Sequence, residues 1–228
     1  MKTENSLKND YSRLVALFDL DGVILDTESQ YTELWESIGI DFLGRTGFGT
    51  LIKGQTLVNI FETHFTDKSQ HEHINRRLKD FEKQMKLPYI KGAKEFVLEL
   101  RKNGIKTAIV TSSDSSKMES VYSKIPDFQS LFDKILTAEM FKKGKPNPDC
   151  YLLGAKVFDA QIENCVVFED SFHGLQAGRD AKMKVVGLAT TNPKETIIDK
   201  SNIVIEDFSN FSIENFVNFA ISQKNPKN

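Results

Sequence analysis

The sequence predicts a parallel α/β sheet with a helical insertion after its first strand, and three observations carry that reading. Short apolar runs of strand length recur at 14–18, 107–110, 134–136, 165–168, 185–188 and 203–205. Helical patterns lie between most of the later runs, and strands that alternate with helices pair in parallel with helices on both faces. The stretch 27–87 holds no convincing strand. Runs with little polar alternation fit strands buried on both sides, as such a sheet requires.

The elements follow in order. LVALF at 14–18 runs straight into Asp19, Asp21 and Gly22. The insertion then reads as three helices: ESQYTELWESIG from residue 28, TLVNIFETHF from 56 and HEHINRRLKDFEKQM from 71. Trp35 is a core residue of the first. Pro88 and Gly92 mark the return to the sheet. GAKEFVLELRKNG sets Phe96, Val97 and Leu100 on one face and stops at Gly104. DCYLLGAKVFD does the same with Tyr151, Leu152, Ala155 and Phe158. SFHGLQAGRDAK starts at Ser171, a good cap. The expected division is a core of residues 1–27 and 90–228 and a cap of residues 28–89. The C-terminal SQKNPKN is expected to fray.

Composition narrows the class of function. Lys and Arg number 30 against 32 Asp and Glu, so no basic footprint for nucleic acid or an anionic membrane exists. No apolar run has the length of a membrane span, and the polar N-terminus lacks the apolar centre of a secretory signal. Cys150 and Cys165 form no metal-spaced pair, which points to a reducing cytoplasm. His64, His71 and His73 read as surface residues of the insertion, and His173 as packing or capping.

In an open parallel sheet, ligands bind beyond the carboxyl ends of the strands. Four of those ends are polar here: Asp19-Leu20-Asp21-Gly22, Thr111-Ser112-Ser113-Asp114, Lys143-Gly144-Lys145-Pro146 and Glu169-Asp170-Ser171. Together they suit a phosphoryl group handled with a hard cation. A carboxylate can attack phosphorus, but carboxylate and phosphate repel each other. A Mg²⁺ ion held by carboxylates removes that barrier. A lysine neutralises the remaining charge, while hydroxyl and backbone N–H groups hold the phosphate oxygens. A second carboxyl protonates the leaving oxygen. Asp-x-Asp-Gly alone can be a turn, and TSSD alone can be a helix cap. A calcium loop is ruled out, since it wants glycine at its sixth position and Gly22 falls at the fourth.

FDLDGVILDTE, VTSS, KPNPD and FEDSFHGLQA, in that order, resemble the motifs of the haloacid dehalogenase superfamily. They resemble most its branch with a helical cap after strand one, which includes sugar-phosphate phosphatases and β-phosphoglucomutase. The resemblance implies a Rossmann-like core of strand order 3-2-1-4-5. It implies Asp19 as nucleophile and Asp21 as acid/base, with Thr111, Ser112 and Lys145 on the phosphate. It implies Mg²⁺ held by Asp19, the Asp21 carbonyl, Asp170 and Glu169, the last directly or through water.

Dehalogenases of this pattern lack the second aspartate, so Asp21 favours phosphoryl transfer. The mutases carry a histidine where Tyr31 stands, and an arginine at the position matched to Leu57. Both departures favour a phosphatase of small phosphorylated metabolites such as sugar phosphates, with the mutase as the alternative. Lys53 raises the further alternative of a phosphonoacetaldehyde hydrolase, whose cap supplies a Schiff-base lysine. A non-catalytic binding protein on this fold would have lost the carboxylates that are present here. Glu28, Tyr31, Lys53, Gln55 and Thr56 are expected to meet the substrate from the cap. The expected partner is a small phosphate ester bound by a monomer.

Overall fold

The computed structural model describes residues 11–222. The C-terminal stretch expected to fray lies, apart from Ser222, outside the described residues. The first strand, β1 (Val15–Phe18), is followed by the insertion, whose helices are α1 (Glu28–Leu43), α2 (Phe48–Leu51), α3 (Leu57–His64) and α4 (Ser69–Gln84). Then come α5 (Ala93–Lys102), β2 (Lys106–Val110), α6 (Ser115–Lys124), β3 (Lys134–Leu136) and α7 (Asp149–Lys156). The chain continues through β4 (Cys165–Glu169), α8 (Phe172–Asp180), β5 (Lys184–Leu188), α9 (Lys194–Ile197), β6 (Ile203–Ile205) and α10 (Ile213–Ile221).

All pairings are parallel, and the sheet order is β3-β2-β1-β4-β5-β6. The expected order holds, and β6 extends it by one edge strand. Val15 is in register with Lys106 on one side and Cys165 on the other. The chain therefore builds outward from β1 in one direction and then restarts at β4 in the other. The switch point falls between β1 and β4, where ligands bind in such sheets.

Alternation along β1 feeds two cores. Leu14, Ala16 and Phe18 join one hydrophobic cluster, while Val15 and Leu17 join the cluster on the opposite face. Phe18 stacks on Phe168 of β4 with ring centroids 4.6 Å apart. Such aromatic pairs add stabilisation beyond their buried area.

The insertion has its own core of Trp35, Ile38, Phe48, Ile52, Ile60, Phe65, Ile74 and Leu78. It contains four helices rather than the three expected. The added one is the single turn α2, entered through Gly47 at φ 76°. A left-handed backbone there favours glycine, and so short a turn leaves no amphipathic period to read. Both ends of the insertion meet at one place: Asp26 N donates to Pro88 O at 2.8 Å and Ile90 N to Ile24 O at 2.9 Å. Helix α6 docks against the end of α4. Ser120 Oγ donates to Glu82 O at 3.3 Å and Lys124 Nζ to Met85 O at 2.8 Å. These cation and hydroxyl donors satisfy carbonyls that a helix end leaves without partners.

Lys184 does the same for α10. Its Nζ donates to Phe219 O, Ala220 O and Ser222 O at 2.9, 2.6 and 2.6 Å. Replacing it by methionine keeps the stem and strands those carbonyls. The expected outcome for Lys184→Met is a loss of about 1–3 kcal/mol, read as a lower urea midpoint at unchanged slope.

Candidate active site

The carboxyl ends of β1, β2 and β4 converge with the loop before α7. Lys145 Nζ lies 2.7 Å from Asp19 Oδ1, 2.6 Å from Glu169 Oε1 and 3.2 Å from Val110 O. It is buried, as are Asp19, Glu169 and Asp170. Burial opposes charge on Lys145, but Asp19 and Glu169 outweigh it and raise its pKa. Asp19 is pushed up to about 7, chiefly by burial, with Lys145 opposing and Glu169 adding to the rise.

Glu169 is held on both oxygens. Oε1 also accepts from Tyr151 Oη at 2.7 Å. Oε2 accepts from Asp170 N, Ser171 N and Ser171 Oγ at 3.1, 3.3 and 3.1 Å. Ser171 caps α8 as expected, accepting from Gly174 N at 3.1 Å, and so serves helix and carboxylate together. A Cβ at Gly174 would collide with the Glu169 carboxyl group, so the close packing requires glycine.

Asp21 is held by other donors. Thr27 Oγ1 donates to its Oδ1, and Lys117 Nζ and Ser113 Oγ donate to its Oδ2, the last at 3.2 Å. The Lys117 ammonium also stands 4.1 Å from the Tyr31 ring centroid. Tyr31 Oη in turn donates to Glu82 Oε1 at 3.0 Å.

Asp170 differs from its neighbours. Both of its oxygens are buried with no hydrogen-bond partner among the described residues. Burial, then Glu28, Glu169 and Asp19, raise its pKa well above the carboxylate range. Gly22, at φ 76°, lies against it, and a Cβ there would overlap Asp170 Oδ2. Asp19, Glu169 and Asp170 offer oxygens within 4.8 Å of one another. Three carboxyl groups thus face one buried lysine, and burial with mutual repulsion opposes their ionisation together without a further cation. That donor set, hard oxygens with an orphaned carboxylate, fits a divalent cation such as Mg²⁺.

A cavity of about 130 Å³ opens over this cluster. Asp19, Asp21, Asp170, Thr111 and Ser112 line its core side, and Glu28, Tyr31, Lys53 and Gln55 its insertion side. Lys53 Nζ stands 3.9 Å from Glu28 Oε2. Burial, followed by Asp21, raises Glu28 to about 7 against the pull of Lys53. Gln55 Oε1 accepts from Asn59 Nδ2 at 2.8 Å. Thr111 Oγ1 accepts from Ser113 N at 3.0 Å. Ser112 Oγ donates to Gly54 O at 3.0 Å, so it joins the core to the insertion.

Thr56 is not among the residues lining the cavity; its side chain lies against Gly144 and caps α3, its Oγ1 accepting from Asn59 N at 3.3 Å. A Thr before an apolar helical run has that role by default. His173 does pack, its Nδ1 lying 2.7 Å from Lys53 O. Thr27, the last residue of the expected first core segment, is fully buried against Asp21. Lys117 and Tyr151 carry no motif of their own. Their signal is their distance from motifs: Tyr151 lies six residues beyond Lys145, and Lys117 on the first turn of the helix after TSSD.

The comparisons with known proteins agree with this geometry. A family model described as haloacid dehalogenase-like hydrolase matches residues 16–188. The chain belongs to that family. Among its members, the fructose-1-phosphate phosphatase YqaB of Escherichia coli is 30% identical over 188 residues, covering 77% of this chain and 97% of that protein. The β-phosphoglucomutase of Bacillus subtilis is 28% identical over 193 residues, covering 78% and 84%. The fold matches a family IA, variant 3 HAD hydrolase from Entamoeba histolytica with a TM-score of 0.79 at 23% identity, covering 92% of this chain and all of that one. Two longer Arabidopsis thaliana relatives are spanned over only 20% and 53% of their length.

The Tyr151 hydroxyl is a buried donor to an ion. Tyr151→Phe is expected to lower stability by about 1.5–3 kcal/mol, measured by urea unfolding, because Glu169 then keeps one donor fewer in a site closed to water.

Proposed function

We propose that this protein is a Mg²⁺-dependent phosphatase of small phosphorylated metabolites, sugar phosphates among them, working through an aspartyl-phosphate. The observation that carries the reading is the buried Asp19–Lys145–Glu169 cluster beside the unpartnered carboxylate of Asp170. Asp19, Asp170 and the Asp21 carbonyl would hold Mg²⁺, with Glu169 behind them. When bound, the ion would offset the repulsion between the substrate phosphate and these carboxylates.

The roles are those the family resemblance implies. An Asp19 oxygen attacks phosphorus, and the bond from phosphorus to the leaving oxygen breaks. Asp21 gives that oxygen its proton. Water then attacks phosphorus, Asp21 takes a proton from it, and Asp19 is released with inorganic phosphate. Lys145 keeps its charge beside the attacking oxygen throughout. Thr111 and the Ser112 N–H bind phosphate oxygens. Thr27, Ser113 and Lys117 keep the Asp21 carboxyl in place between the two steps.

Residues 28–89 act as a cap on a core of residues 1–27 and 90–228, with hinges near 27–29 and 88–92. Contacts such as Ser112 to Gly54 and His173 to Lys53 support a cap that rests on the core and limits water in the cavity. The small size of the cavity, about 130 Å³, supports small esters as substrates, bound by a monomer. Among the described residues no helix is long and apolar enough to cross a membrane. The two free, buried cysteines agree with a reducing compartment such as the cytoplasm.

Tyr31 and Leu57 support hydrolysis over transfer back to a sugar. Tyr31 is engaged by Glu82 and Lys117, and Leu57 offers a dianion nothing.

The decisive experiment is phosphate release from a panel of esters. Activity is expected to vanish in EDTA, to return with Mg²⁺, and to fall by at least about 10³-fold in Asp19→Asn. Undiminished turnover in that variant would refute the aspartyl-phosphate. With β-glucose 1-phosphate the expected product is inorganic phosphate. Accumulation of glucose 6-phosphate would identify a mutase instead.

A further inference from the structure

Just past β5 the chain runs through Thr190, Thr191 and Asn192. Each of the three side chains meets Gly22 or Asp170. Thr190 Oγ1 donates to Gly22 O at 2.5 Å, and Asn192 Nδ2 donates to Asp170 O at 2.8 Å. The segment is thus tied to the loop after β1 and to the loop after β4. Thr191 stands between these two anchors, so its backbone is held before any partner arrives.

The Thr191 hydroxyl is buried with no hydrogen-bond partner among the described residues, as are both oxygens of Asp170. The two groups border one small space. A Cβ at Gly22 would lie 2.1 Å from Asp170 Oδ2 and 2.8 Å from Thr191 Oγ1. Loop threonines commonly bond nearby backbone. Thr191 does not, although its hydroxyl is near enough to Asp170 to favour the ionised carboxyl against burial and its acidic neighbours. A buried hydroxyl beside a buried carboxylate is a donor facing an acceptor, and native proteins leave few such groups unpaired.

We propose that Thr191 is a positioning residue of the cation site, its hydroxyl donating to Asp170 Oδ2 and leaving Oδ1 to the cation. This rests on the Mg²⁺ reading above. Thr191 lies outside the four motifs and beyond the residues 16–188 that the family model matches. It acts through Asp170 and needs no contact with substrate. With one oxygen engaged, Asp170 serves as a ligand through a single oxygen. That suits Mg²⁺, which demands octahedral geometry. It disfavours Ca²⁺, which takes more oxygens and accepts a carboxylate through both.

The test is cation binding, read as the rise in unfolding temperature with added Mg²⁺ or Ca²⁺ after EDTA has been used and removed. Thr191→Val keeps the shape and removes the hydroxyl. It is expected to weaken Mg²⁺ binding by at least about tenfold and Ca²⁺ binding by less, so the preference for Mg²⁺ narrows. Thr191→Ala, a second way to remove the hydroxyl, is expected to do the same. Thr191→Ser keeps the hydroxyl and is expected to keep both affinity and preference. Unchanged Mg²⁺ binding in Thr191→Val and Thr191→Ala, or an equal loss for the two cations, would overturn the inference and leave the cation site standing. No rise with Mg²⁺ in the unmodified protein would overturn the cation site as well.

Discussion

A lysine ammonium sealed inside the sheet's end is the constraint on which the rest of this site depends. Lys145 is 2% exposed, and an unpaired charge at that depth is untenable. It must have carboxylates, and it draws one from each of the two central strands, Asp19 after β1 and Glu169 at the end of β4. Those residues can meet only because β1 and β4 are neighbours in register. The strand order is thus a precondition of the charge cluster as well as of the hydrophobic layers.

The pairing has further demands. Glu169 answers to one lysine oxygen-side only, so its second oxygen needs the backbone at the start of α8 and the Ser171 hydroxyl. That places the helix start against the carboxylate and admits only glycine at position 174. Asp170 is turned the other way, toward Gly22, and its two oxygens have no hydrogen-bond partner among the described residues.

Much of this was legible in the sequence because its signals are local. Each apolar run became a strand within about a residue, and each polar strand end reached the cluster. Asp19, Asp21, Lys145, Glu169 and Asp170 stand at strand ends or in a loop whose spacing shows itself. Tyr151, Lys117 and Thr27 were not legible as site residues, since their roles depend on side chains distant in the chain. Tyr151 reads as one more apolar residue of its helix, and only folding turns its hydroxyl to Glu169. Thr56 caps its own helix, a role that its position before an apolar helical run already suggests. Helix α2 is a single turn shaped by Gly47 and by packing of Phe48 on Trp35, which leaves no periodic trace.

The crossing of the chain at Asp26–Pro88 and Ile24–Ile90 has a consequence for how such a protein can change. The segment between them leaves the sheet and re-enters it through the same doorway, closed by its own pair of backbone hydrogen bonds. Its length, helix count and wall residues can drift without altering any strand register, because loop closure costs grow only slowly with length. A transplant of the segment into a related sheet would have to match that doorway and also the contacts the insertion makes with the core at Ser112, Ser120, Lys124 and His173.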